Sequence, residues 1–515
     1  MPKKIIFIAF VVSIGGFLFG FDAGIISGVM SYAGPEFNLS DIQSGWVVSS
    51  PTFTAMLAML ISGRLSDIVG RKKILIVVAF LYAVSALFSA YATSYEMLYI
   101  ARMVGGVAFG AALVLAPTYI AEISSAENRG KLVSLQQLNI VLGFFAAFLS
   151  NYYFNSLNSG GESSFLTDAN VWRWMLGVEF LPAVVYFFSL FFIPKSPRWL
   201  FTQHNDDEAT KILIDIHGEE RAEEETKTIL ASLSTESKEE EEKVKLTDLL
   251  KPALRFVLTV GLIIGVLQQI TGINAVYFYA TSIFKQTGIG TDASFSQGVL
   301  LSFTSLVFTI VAILLIDRMG RRPLLLYGLA GIAISLLLCA YGFNAATYKL
   351  EADQIAGFEF VEKTELEQYA GKTFENDVAF KNAMKSSLGT QTYGKNEGAI
   401  LEAATTINAN LVLIGVLGFI ACFAFSLGPV MWVLLSELFP NRYRGLAIGV
   451  IGFINSFVSW LVQFIFPWEL SNLGNAMSFL IFGLIALAGF FVLLKILPET
   501  KGKSLEEIEK ELVRS

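Results

Sequence analysis

Residues 265–280 read GVLQQITGINAVYFYA, and the rest of the chain is organised around them. This stretch lies inside a long apolar segment, yet it carries Gln268, Gln269 and Asn274. Amide groups are costly in hydrocarbon unless they are paired or face water. A helix that is broken near Gly272 would let these amides reach one polar cavity, as broken helices do at the substrate sites of transporters. The alternative is that the amides hold neighbouring helices together by hydrogen bonds.

The composition around this stretch is typical of a membrane protein. Of 515 residues, 54% are hydrophobic and 16% are charged, and the mean hydropathy is +0.59. A spanning helix needs about 20 apolar residues. We predict twelve spans, at approximately 5–30, 41–62, 74–93, 97–121, 132–154, 172–193, 255–281, 296–316, 324–342, 406–433, 446–468 and 475–495.

Charge and rare residues exclude several classes of function. The net charge is -7 and no basic aromatic patch appears, so we expect no nucleic-acid partner. The two histidines lie in one charged loop and the two cysteines in apolar segments, and no metal-ligand spacing appears. We therefore expect no metal and no cofactor. No nucleophile, base and orienting group cluster in the spans, so an enzyme is not expected.

Cationic residues predict the orientation in the membrane. The loops on one side hold Lys3, Lys4, Arg64, Arg71, Lys72, Lys73, Arg129, Lys131, Arg318, Arg321, Arg322, Arg442 and Arg444. The short loops on the other side offer only Lys285. By the positive-inside rule both termini are cytoplasmic, in a multi-pass protein of the cell (inner or plasma) membrane.

Two patterns recur along the chain. Asp67-Ile-Val-Gly-Arg-Lys72 returns as Asp317-Arg-Met-Gly-Arg-Arg322, at an offset of 250 residues. Glu122 precedes Arg129 by seven residues, as Glu437 precedes Arg444, at an offset of 315 residues. The chain is thus two copies of a six-helix unit, and the second copy holds an insert of 65 residues.

The repeat defines the predicted domains. We expect an all-α membrane protein of twelve transmembrane helices in two pseudo-symmetric six-helix bundles. The predicted regions are a first bundle at 1–193, a cytoplasmic helical linker at 194–254, a second bundle at 255–495 with an extracytoplasmic insert at 343–405, and a cytoplasmic tail at 496–515.

Charged residues inside the spans predict proton coupling. Asp22 stands in span one, and an intramembrane carboxylate is by default a candidate functional residue. Its expected partner is Arg102, which forms a stripe with Gly106 and Gly110 that lets a neighbouring helix approach. Glu179 in span six is a third ionisable group. A change in the distance between Asp22 and Arg102 would alter the affinity for a proton; the alternative is a static ion pair.

Both charge signs also occur at the cytoplasmic helix ends. Simple topology signals would need only arginine and lysine, so the paired acids favour a latch of ion pairs between the two halves. The predicted gating residues of this group are Asp67, Arg71, Glu122, Arg129, Asp317, Arg321, Glu437 and Arg444. In span ten, Gly428-Pro429 predicts a helix break, and the indole of Trp432 suits the C–H face of a sugar ring.

Taken together, these motifs resemble the sugar porter family of the major facilitator superfamily. The resemblance covers nearly the whole chain except the insert, and it is closest in motif to bacterial proton-coupled xylose symporters. The motifs that carry it are Gly63-Arg-Leu-Ser-Asp-Ile-Val-Gly-Arg-Lys72, Pro117-Thr-Tyr-Ile-Ala-Glu122, Pro194-Lys-Ser-Pro-Arg-Trp-Leu200, Gln268-Gln-Ile-Thr-Gly-Ile-Asn274 and Ser436-Glu-Leu-Phe-Pro440.

The resemblance implies a set of site residues. It places the sugar on Gln137, Gln268, Gln269, Asn274, Trp432 and Asn455. It implies that Tyr279 belongs to the outer gate and that Asp22, Arg102 and Glu179 match the proton-coupled subgroup. Two positions depart from the family: Ser456 stands where glucose and xylose carriers usually have tryptophan, and Lys195 stands where the family usually has glutamate.

The sequence therefore predicts proton-coupled uptake of a monosaccharide by alternating access. The partners are the sugar, the proton and the lipid bilayer, and we expect a monomer to function. The first alternative is a facilitative uniporter for a sugar or a polyol such as myo-inositol. The second is a membrane sugar sensor; such sensors carry a long signalling tail, and little follows Leu497.

Overall fold

Twelve helical segments form the body of the protein. The computed structural model describes residues 3–125, 128–160, 165–239, 245–503, 507–508 and 512. Within those residues, twelve segments are long and apolar enough to cross a membrane, which confirms the predicted number. Large apolar side chains such as Ile61, Phe192 and Leu314 are exposed on their outer surfaces. Such a continuous apolar surface is compatible with lipid and not with water.

The first half contains six spans. Their helices are α1 (Lys3–Glu36), α2 (Asp41–Val69), α3 (Arg71–Ala90), α4 (Tyr95–Ile123), α5 (Arg129–Ser159), α6 (Val171–Gly177) and α7 (Phe180–Ser189). The last two form one span, which a 3₁₀ turn at Leu190–Phe192 completes. Several helices run past the predicted span because the apolar pattern marks only the part in lipid. α2, for example, continues until Gly70, where φ is +100°.

The described part of the linker between the halves contains three α-helices. It contains α8 (Pro197–Thr202), α9 (Asp206–His217) and α10 (Glu219–Glu239), followed by 3₁₀ turns at Leu246–Leu250 and Pro252–Leu254. The indole Nε1 of Trp199 donates to the Asp67 carbonyl oxygen at 2.9 Å, and Lys4 pairs with Asp215. These contacts fix the linker to one end of the bundle, which we call the linker face.

The second half contains the other six spans and the insert. Its helices and strands are α11 (Arg255–Ile270), α12 (Ile273–Phe278), α13 (Ala280–Lys285), α14 (Thr291–Met319), α15 (Arg321–Asn344), β1 (Thr347–Lys349), α16 (Ala352–Ala356), a 3₁₀ helix (Val361–Tyr369), β2 (Thr373–Phe374), α17 (Asp377–Ala404), β3 (Thr405–Thr406), α18 (Ala409–Phe425), α19 (Leu427–Leu438), α20 (Asn441–Asn472) and α21 (Gly474–Ile496).

The insert folds as a small unit at the opposite end of the bundle, which we call the insert face. Its antiparallel sheet has the strand order β2-β1-β3. Tyr348, Phe374, Phe380 and Met384 are buried in its own apolar core. The Asp377 carboxylate accepts hydrogen bonds from the backbone and side chain of Asn475, at 3.1 and 2.7 Å. The insert is therefore fastened to the first turn of α21.

The predicted repeat is confirmed at the linker face. Gly70 and Gly320 both have positive φ, +100° and +93°, and each ends one helix and precedes the next. The following arginines make equivalent contacts. Arg71 donates from Nη1 to the Ser66 carbonyl oxygen at 3.1 Å, and Arg321 donates from Nη1 to that of Ile316 at 3.3 Å.

The predicted glycine stripe on α4 is also confirmed. A Cβ on Gly106 would lie 2.3 Å from the Pro51 carbonyl oxygen, and one on Gly110 would lie 2.5 Å from that of Ala55. Small residues at these positions let α2 and α4 approach closely, as at many helix contacts in membranes. The close approach brings α2 beside Arg102.

Candidate functional site

The seventh span is broken where its polar residues lie. α11 ends at Ile270, and α12 begins at Ile273 after Gly272, whose φ is +86°. A Cβ at this left-handed position would be strained and would meet the Phe482 ring at 2.7 Å. A second break at Tyr279 separates α12 from α13. The predicted irregularity near Gly272 is confirmed.

Four amide side chains, which we call the amide cluster, meet at this break: Gln268, Gln269, Asn274 and Asn455. Asn455 on α20 donates from Nδ2 to Gln268 Oε1 at 2.8 Å. Gln269 donates from Nε2 to Asn455 Oδ1 at 3.3 Å, and Asn274 donates from Nδ2 to Gln269 Oε1 at 2.9 Å. The cluster thus satisfies much of its own hydrogen bonding, and little of it is exposed.

The tenth span supplies the neighbouring wall. Gln268 donates from Nε2 to the carbonyl oxygens of Leu427 and Gly428, at 3.1 and 3.3 Å. The predicted break at Gly428-Pro429 falls instead at Ser426, where φ is -126° and ψ is -94°. A proline is tolerated in the first turn of a helix, whose N–H groups have no partner within the helix. Pro429 therefore lies in the first turn of α19, two residues after Leu427, where the helix begins.

Trp432 lies one turn further along α19. Its side chain is exposed, and its ring comes within 3.6 Å of where a Cβ on Gly452 would be. Gly452 lies one helical turn before Asn455 on α20. The structure therefore places the indole within about one helical turn of Asn455, and its contact with a sugar ring stays a prediction.

Gln137 does not join the amide cluster among the described residues. It is exposed on α5, whereas the preceding Gln136 is buried against Gly16 and its Oε1 atom has no hydrogen-bond partner within the described structure. Further along α5, the Phe144 ring lies 5.0 Å from the Tyr277 ring of the broken span. The role of Gln137 in sugar binding stays a prediction.

Sequence reasoning missed a polar stripe on α20. Asn274 donates from Nδ2 to Ser459 Oγ at 2.7 Å, and Gln463 donates from Nε2 to the same oxygen at 2.8 Å. Thr52 on α2 in turn donates to Gln463 Oε1 at 2.9 Å. Asn455, Ser459 and Gln463 are spaced four residues apart, and that helical spacing was the available signal. The stripe links the amide cluster to the first half.

The predicted ion pair of the first half is present. Arg102 Nη1 donates to Asp22 Oδ1 at 3.2 Å, and Arg102 Nε donates to the Val47 carbonyl oxygen at 3.1 Å. Both side chains are almost completely buried, with 4% of Asp22 and 2% of Arg102 exposed. Arg102 thus connects helices α1, α2 and α4. A buried charge that loses its partner is strongly destabilised, so protonation of Asp22 would alter this junction.

Glu179 lies close to this pair. It is buried at the junction of α6 and α7, near enough for the charges of Asp22 and Arg102 to act on it. No hydrogen bond joins Glu179 to either side chain within the described residues. The structure therefore assembles the three predicted ionisable groups, but only two of them are in direct contact.

The described linker-face ion pairs lie within each half. Arg71 contacts Asp67 at 2.6 Å and Glu122 at 3.0 Å, and Arg321 contacts Glu437 at 2.8 Å. This pairing is local, because each arginine begins the helix that packs beside the acid's own helix. Pairing between the halves, which is expected when this face is shut, stays a prediction.

The other predicted gating residues show fewer contacts in the described part of the structure. Arg444 donates from Nε to the Phe439 carbonyl oxygen at 3.3 Å, and its Nη2 is buried without a partner among the described atoms. Glu437 also accepts a hydrogen bond from the Thr500 hydroxyl at 2.6 Å. The side chains of Arg129 and Asp317 lie outside the described part of the structure, so their predicted roles stay predictions.

The two halves contact each other near the insert face. Ser27 Oγ and Thr281 Oγ1 are 3.0 Å apart, and Asn155 Nδ2 donates to Asp292 Oδ1 at 2.6 Å. A Cβ on Gly45 would lie 2.1 Å from the Phe464 carbonyl oxygen, so α2 and α20 touch there. Tyr279, the predicted outer-gate residue, is buried at this level. Its hydroxyl donates to the Gln463 carbonyl oxygen at 3.0 Å.

Comparison with known proteins gives a consistent result. The family described as Sugar (and other) transporter matches residues 8–360 and 387–512. An arabinose-proton symporter of Bacillus subtilis is 33% identical over 506 residues, which cover 98% of this chain and 94% of that protein. The major myo-inositol transporter of the same species is 32% identical over 505 residues, covering 98% and 93%.

A solved structure supports the same fold. The inward-open conformation of the xylose transporter from E. coli aligns with a TM-score of 0.75 and 27% sequence identity, covering 99% of this chain and 100% of that chain. Two six-helix bundles with a polar centre are therefore the arrangement that this sequence shares with solved transporters.

Proposed function

This chain belongs to the sugar porter family of the major facilitator superfamily, and from that premise we propose that it is a proton-coupled monosaccharide symporter working by alternating access. The observation that carries the proposal is the separation of two polar centres. The first half buries the Asp22–Arg102 pair. The second half holds the neutral amide cluster, which can donate to and accept from sugar hydroxyls.

The amide cluster suits a ligand that must bind and then leave. A buried amide without partners costs about 1–3 kcal/mol, and mutual pairing avoids that cost in the empty site. Sugar hydroxyls would replace amide–amide hydrogen bonds with similar ones, so the net gain is small. Trp432 would add contact with the ring of the sugar. We assign Gln268, Gln269, Asn274, Asn455 and Trp432 to the substrate.

The Asp22–Arg102 pair suits the proton. When Asp22 is charged, it accepts from Arg102 and joins α1 to α4. Protonation weakens that contact and leaves Arg102 attached to α2 through the Val47 carbonyl oxygen. The packing of three helices would then depend on the proton, and Glu179 adds a second carboxylate within electrostatic reach.

The contacts between halves favour a conformation that is closed at the insert face and open at the linker face. Hydrogen bonds and ring contacts such as Trp46 against Phe464 cross between the halves near the insert face. The described ion pairs at the linker face remain within each half. We assign the linker face to the cytoplasm and the insert to the outside, so that this conformation is open inward and the protein lies in the cell membrane.

The test is transport by the purified protein in liposomes. With an imposed pH gradient, acid outside, the protein should concentrate one labelled monosaccharide, and competition by pentoses, hexoses and inositols should identify it. Addition of that sugar without a gradient should raise the external pH. Counterflow of labelled sugar without any accumulation or pH change would reject proton coupling.

A facilitative uniporter for a sugar or polyol is the second candidate. The 32% identity to a myo-inositol transporter and the serine at position 456 favour testing inositols in the same panel. Inositol uptake that equilibrates at every pH gradient would support this candidate instead.

A further inference from the structure

A cavity of about 200 Å³ lies beneath the insert, apart from the amide cluster. Its walls are α1, α13 and α20, and α17 of the insert forms its roof. The floor includes Ser27 and Tyr279. Drug-sized ligands occupy pockets of roughly 300–1,000 Å³, so this cavity suits a smaller molecule, of the size of one sugar ring.

The cavity holds polar groups that lack partners. Lys285 lines it with only 7% of its surface exposed, and no described residue accepts a hydrogen bond from its ammonium group. Gln286, 4% exposed, also lines it, and its Oε1 atom has no donor within the described structure. Buried polar groups without partners are costly. Their presence at one cavity points to a ligand that supplies the partners.

The charges around the cavity select the ligand. Three lysines line the cavity, namely Lys285, Lys381 and Lys385. The carboxylates of Asp41 and Glu397 line it as well. Lys381 is already paired with Asp377 at 3.1 Å. Glu397 Oε1 accepts from Gln286 Nε2 at 3.3 Å and from the Tyr393 hydroxyl at 3.4 Å. Lys285 and Lys385 therefore have no hydrogen-bonded carboxylate among the described residues, although the charge of Glu397 also acts on Lys285. Glu397 in addition offers an acceptor for hydroxyl groups.

Eight hydroxyl-bearing side chains also line the cavity. They are Ser27, Ser31, Ser44, Ser282, Thr390, Ser471, Tyr279 and Tyr393. Burial, and then the charge of Glu397, raise the pKa of the Tyr393 phenol, which keeps that hydroxyl a donor. The aromatic rings can contact the C–H face of a sugar. A small inorganic anion would leave most of these groups unused.

We propose that this cavity is a second binding site, for a monosaccharide that carries a carboxylate, such as a uronic acid. The ammonium of Lys285 pairs with the carboxylate, and Lys385 adds attraction. Glu397 accepts from ring hydroxyls. Lys381 and Lys385 belong to residues 361–386, which the family match does not include.

The site also has a defined relation to the amide cluster. Tyr279 at its floor bonds to the Gln463 carbonyl oxygen, and the Gln463 side chain bonds to Ser459, which bonds to Asn274. A ligand in the cavity would thus contact Tyr279, which belongs to the group of residues that separates the cavity from the amide cluster. This inference concerns binding, and it does not require that the acid be transported.

The experiment measures binding of D-glucuronate to the purified full-length protein in detergent, by isothermal titration calorimetry. D-glucose serves as the same ring without a carboxylate, and acetate and phosphate serve as anions without the ring. We expect D-glucuronate to bind and Lys285→Gln to weaken it at least tenfold. Lys395→Gln, at an exposed position of the same α17 helix, should leave binding within twofold of wild type.

Gln268→Ala separates the two sites. It should leave D-glucuronate binding unchanged, because the cavity does not include the amide cluster. The proposal is overturned by any of three results: no D-glucuronate binding, equal binding with Lys285→Gln at an unchanged unfolding temperature, or equal binding of acetate, or of D-glucose to the Gln268→Ala variant. If Lys285→Gln fails to fold, Lys385→Gln gives the same comparison with an expected loss of at least threefold. Failure of proton-driven uptake would reject the proposed function and leave this binding result standing.

Discussion

The two halves of the molecule share a fold and a helix-end motif, but they differ in the polar groups they bury. The first half buries charges, Asp22, Arg102 and Glu179. At the centre of the second half the buried polar groups include the neutral amides Gln268, Gln269 and Asn455. A carboxylate can bind and release a proton, whereas a neutral amide does not. On our proposal, one duplicated scaffold carries a proton site in its first half and most of a sugar site in its second half.

The helix-end motif shows the same divergence on a common frame. Gly70 of the first half packs against the indole of Trp199, which lies 3.1 Å from where its Cβ would be. The equivalent Gly320 of the second half faces the carboxylate of Glu499, at 2.8 Å. Glu499 also accepts from the backbone N–H groups of Arg321 and Arg322, at 3.2 Å each. An anion at a helix N-terminus is favourable. The backbone geometry at the two glycines is therefore repeated, but the side chain that contacts each glycine is different.

The largest effect is expected from a substitution in the first half, which buries the charged residues. Asp22→Asn removes the proton site and keeps the shape of the side chain. Under a pH gradient of one unit, which can support about tenfold accumulation at one proton per sugar, the variant should reach only equal concentrations inside and outside. Uptake of labelled sugar into liposomes measures this.

Counterflow by Asp22→Asn should persist, because the amide cluster is untouched. Asp207→Asn, at an exposed position of α9, is the matched control and should accumulate sugar like wild type. Accumulation by Asp22→Asn equal to that of wild type would mean that this carboxylate does not couple the proton.

The second largest effect is expected from a substitution in the amide cluster of the second half. Gln268→Ala removes hydrogen bonds to Asn455 and to the first turn of α19. A lost buried hydrogen bond costs about 1–3 kcal/mol, so we expect sugar affinity in counterflow to fall roughly 10- to 100-fold. The number of protons carried per sugar should stay the same. Gln203→Ala in the exposed linker is the control; a change in proton number with Gln268→Ala would show that the two centres are not separate.

The third effect tests the close packing of α2 against α4 in the first half. Gly106→Ala places a Cβ 2.3 Å from the Pro51 carbonyl oxygen, so α2 must move away from α4 and from Arg102. Overpacking of this kind costs about 1–3 kcal/mol. Thermal unfolding in detergent should occur at a lower temperature. Gly63→Ala, where no atom lies within 4 Å of the added Cβ, should unfold like wild type. Equal unfolding temperatures for both variants would contradict the close contact.

The smallest effect concerns the contact between halves. Thr52→Val removes the hydrogen bond from α2 to Gln463 Oε1. A net loss of about 0.5–1.5 kcal/mol should shift the balance between conformations by roughly 2- to 10-fold. Alkylation of a cysteine introduced at Ser31, with Cys339 and Cys422 replaced, reports how open the insert face is.

Faster alkylation is expected for Thr52→Val. The control is Thr118→Val, because that hydroxyl donates only to the Val114 carbonyl oxygen of its own helix, at 2.8 Å, among the described contacts. Unchanged alkylation in both variants would show that the Thr52–Gln463 bond does not hold the halves together.

Much of the architecture was determined by the sequence itself. Twelve apolar segments, a helix break at Gly272 and a close helix contact at Gly106 and Gly110 were all predicted and are all present. The pairing of Asp22 with Arg102 was also predicted. Each of these features follows from a short stretch of chain, because the cost of burying polar groups and the steric needs of glycine act locally. The two-half repeat could be read for the same reason.

Only the tertiary structure decided which distant groups meet. The sequence predicted that Asn274 lies in a polar stretch of the seventh span but did not show that it bonds to Ser459, 185 residues away in the chain. It did not show that Arg71 and Arg321 bond to acids within their own halves in this conformation. It left open whether the insert folds, and the insert has its own core and roofs a cavity. Partner choice depends on how helices far apart in sequence pack together, and no local pattern of residues encodes that geometry.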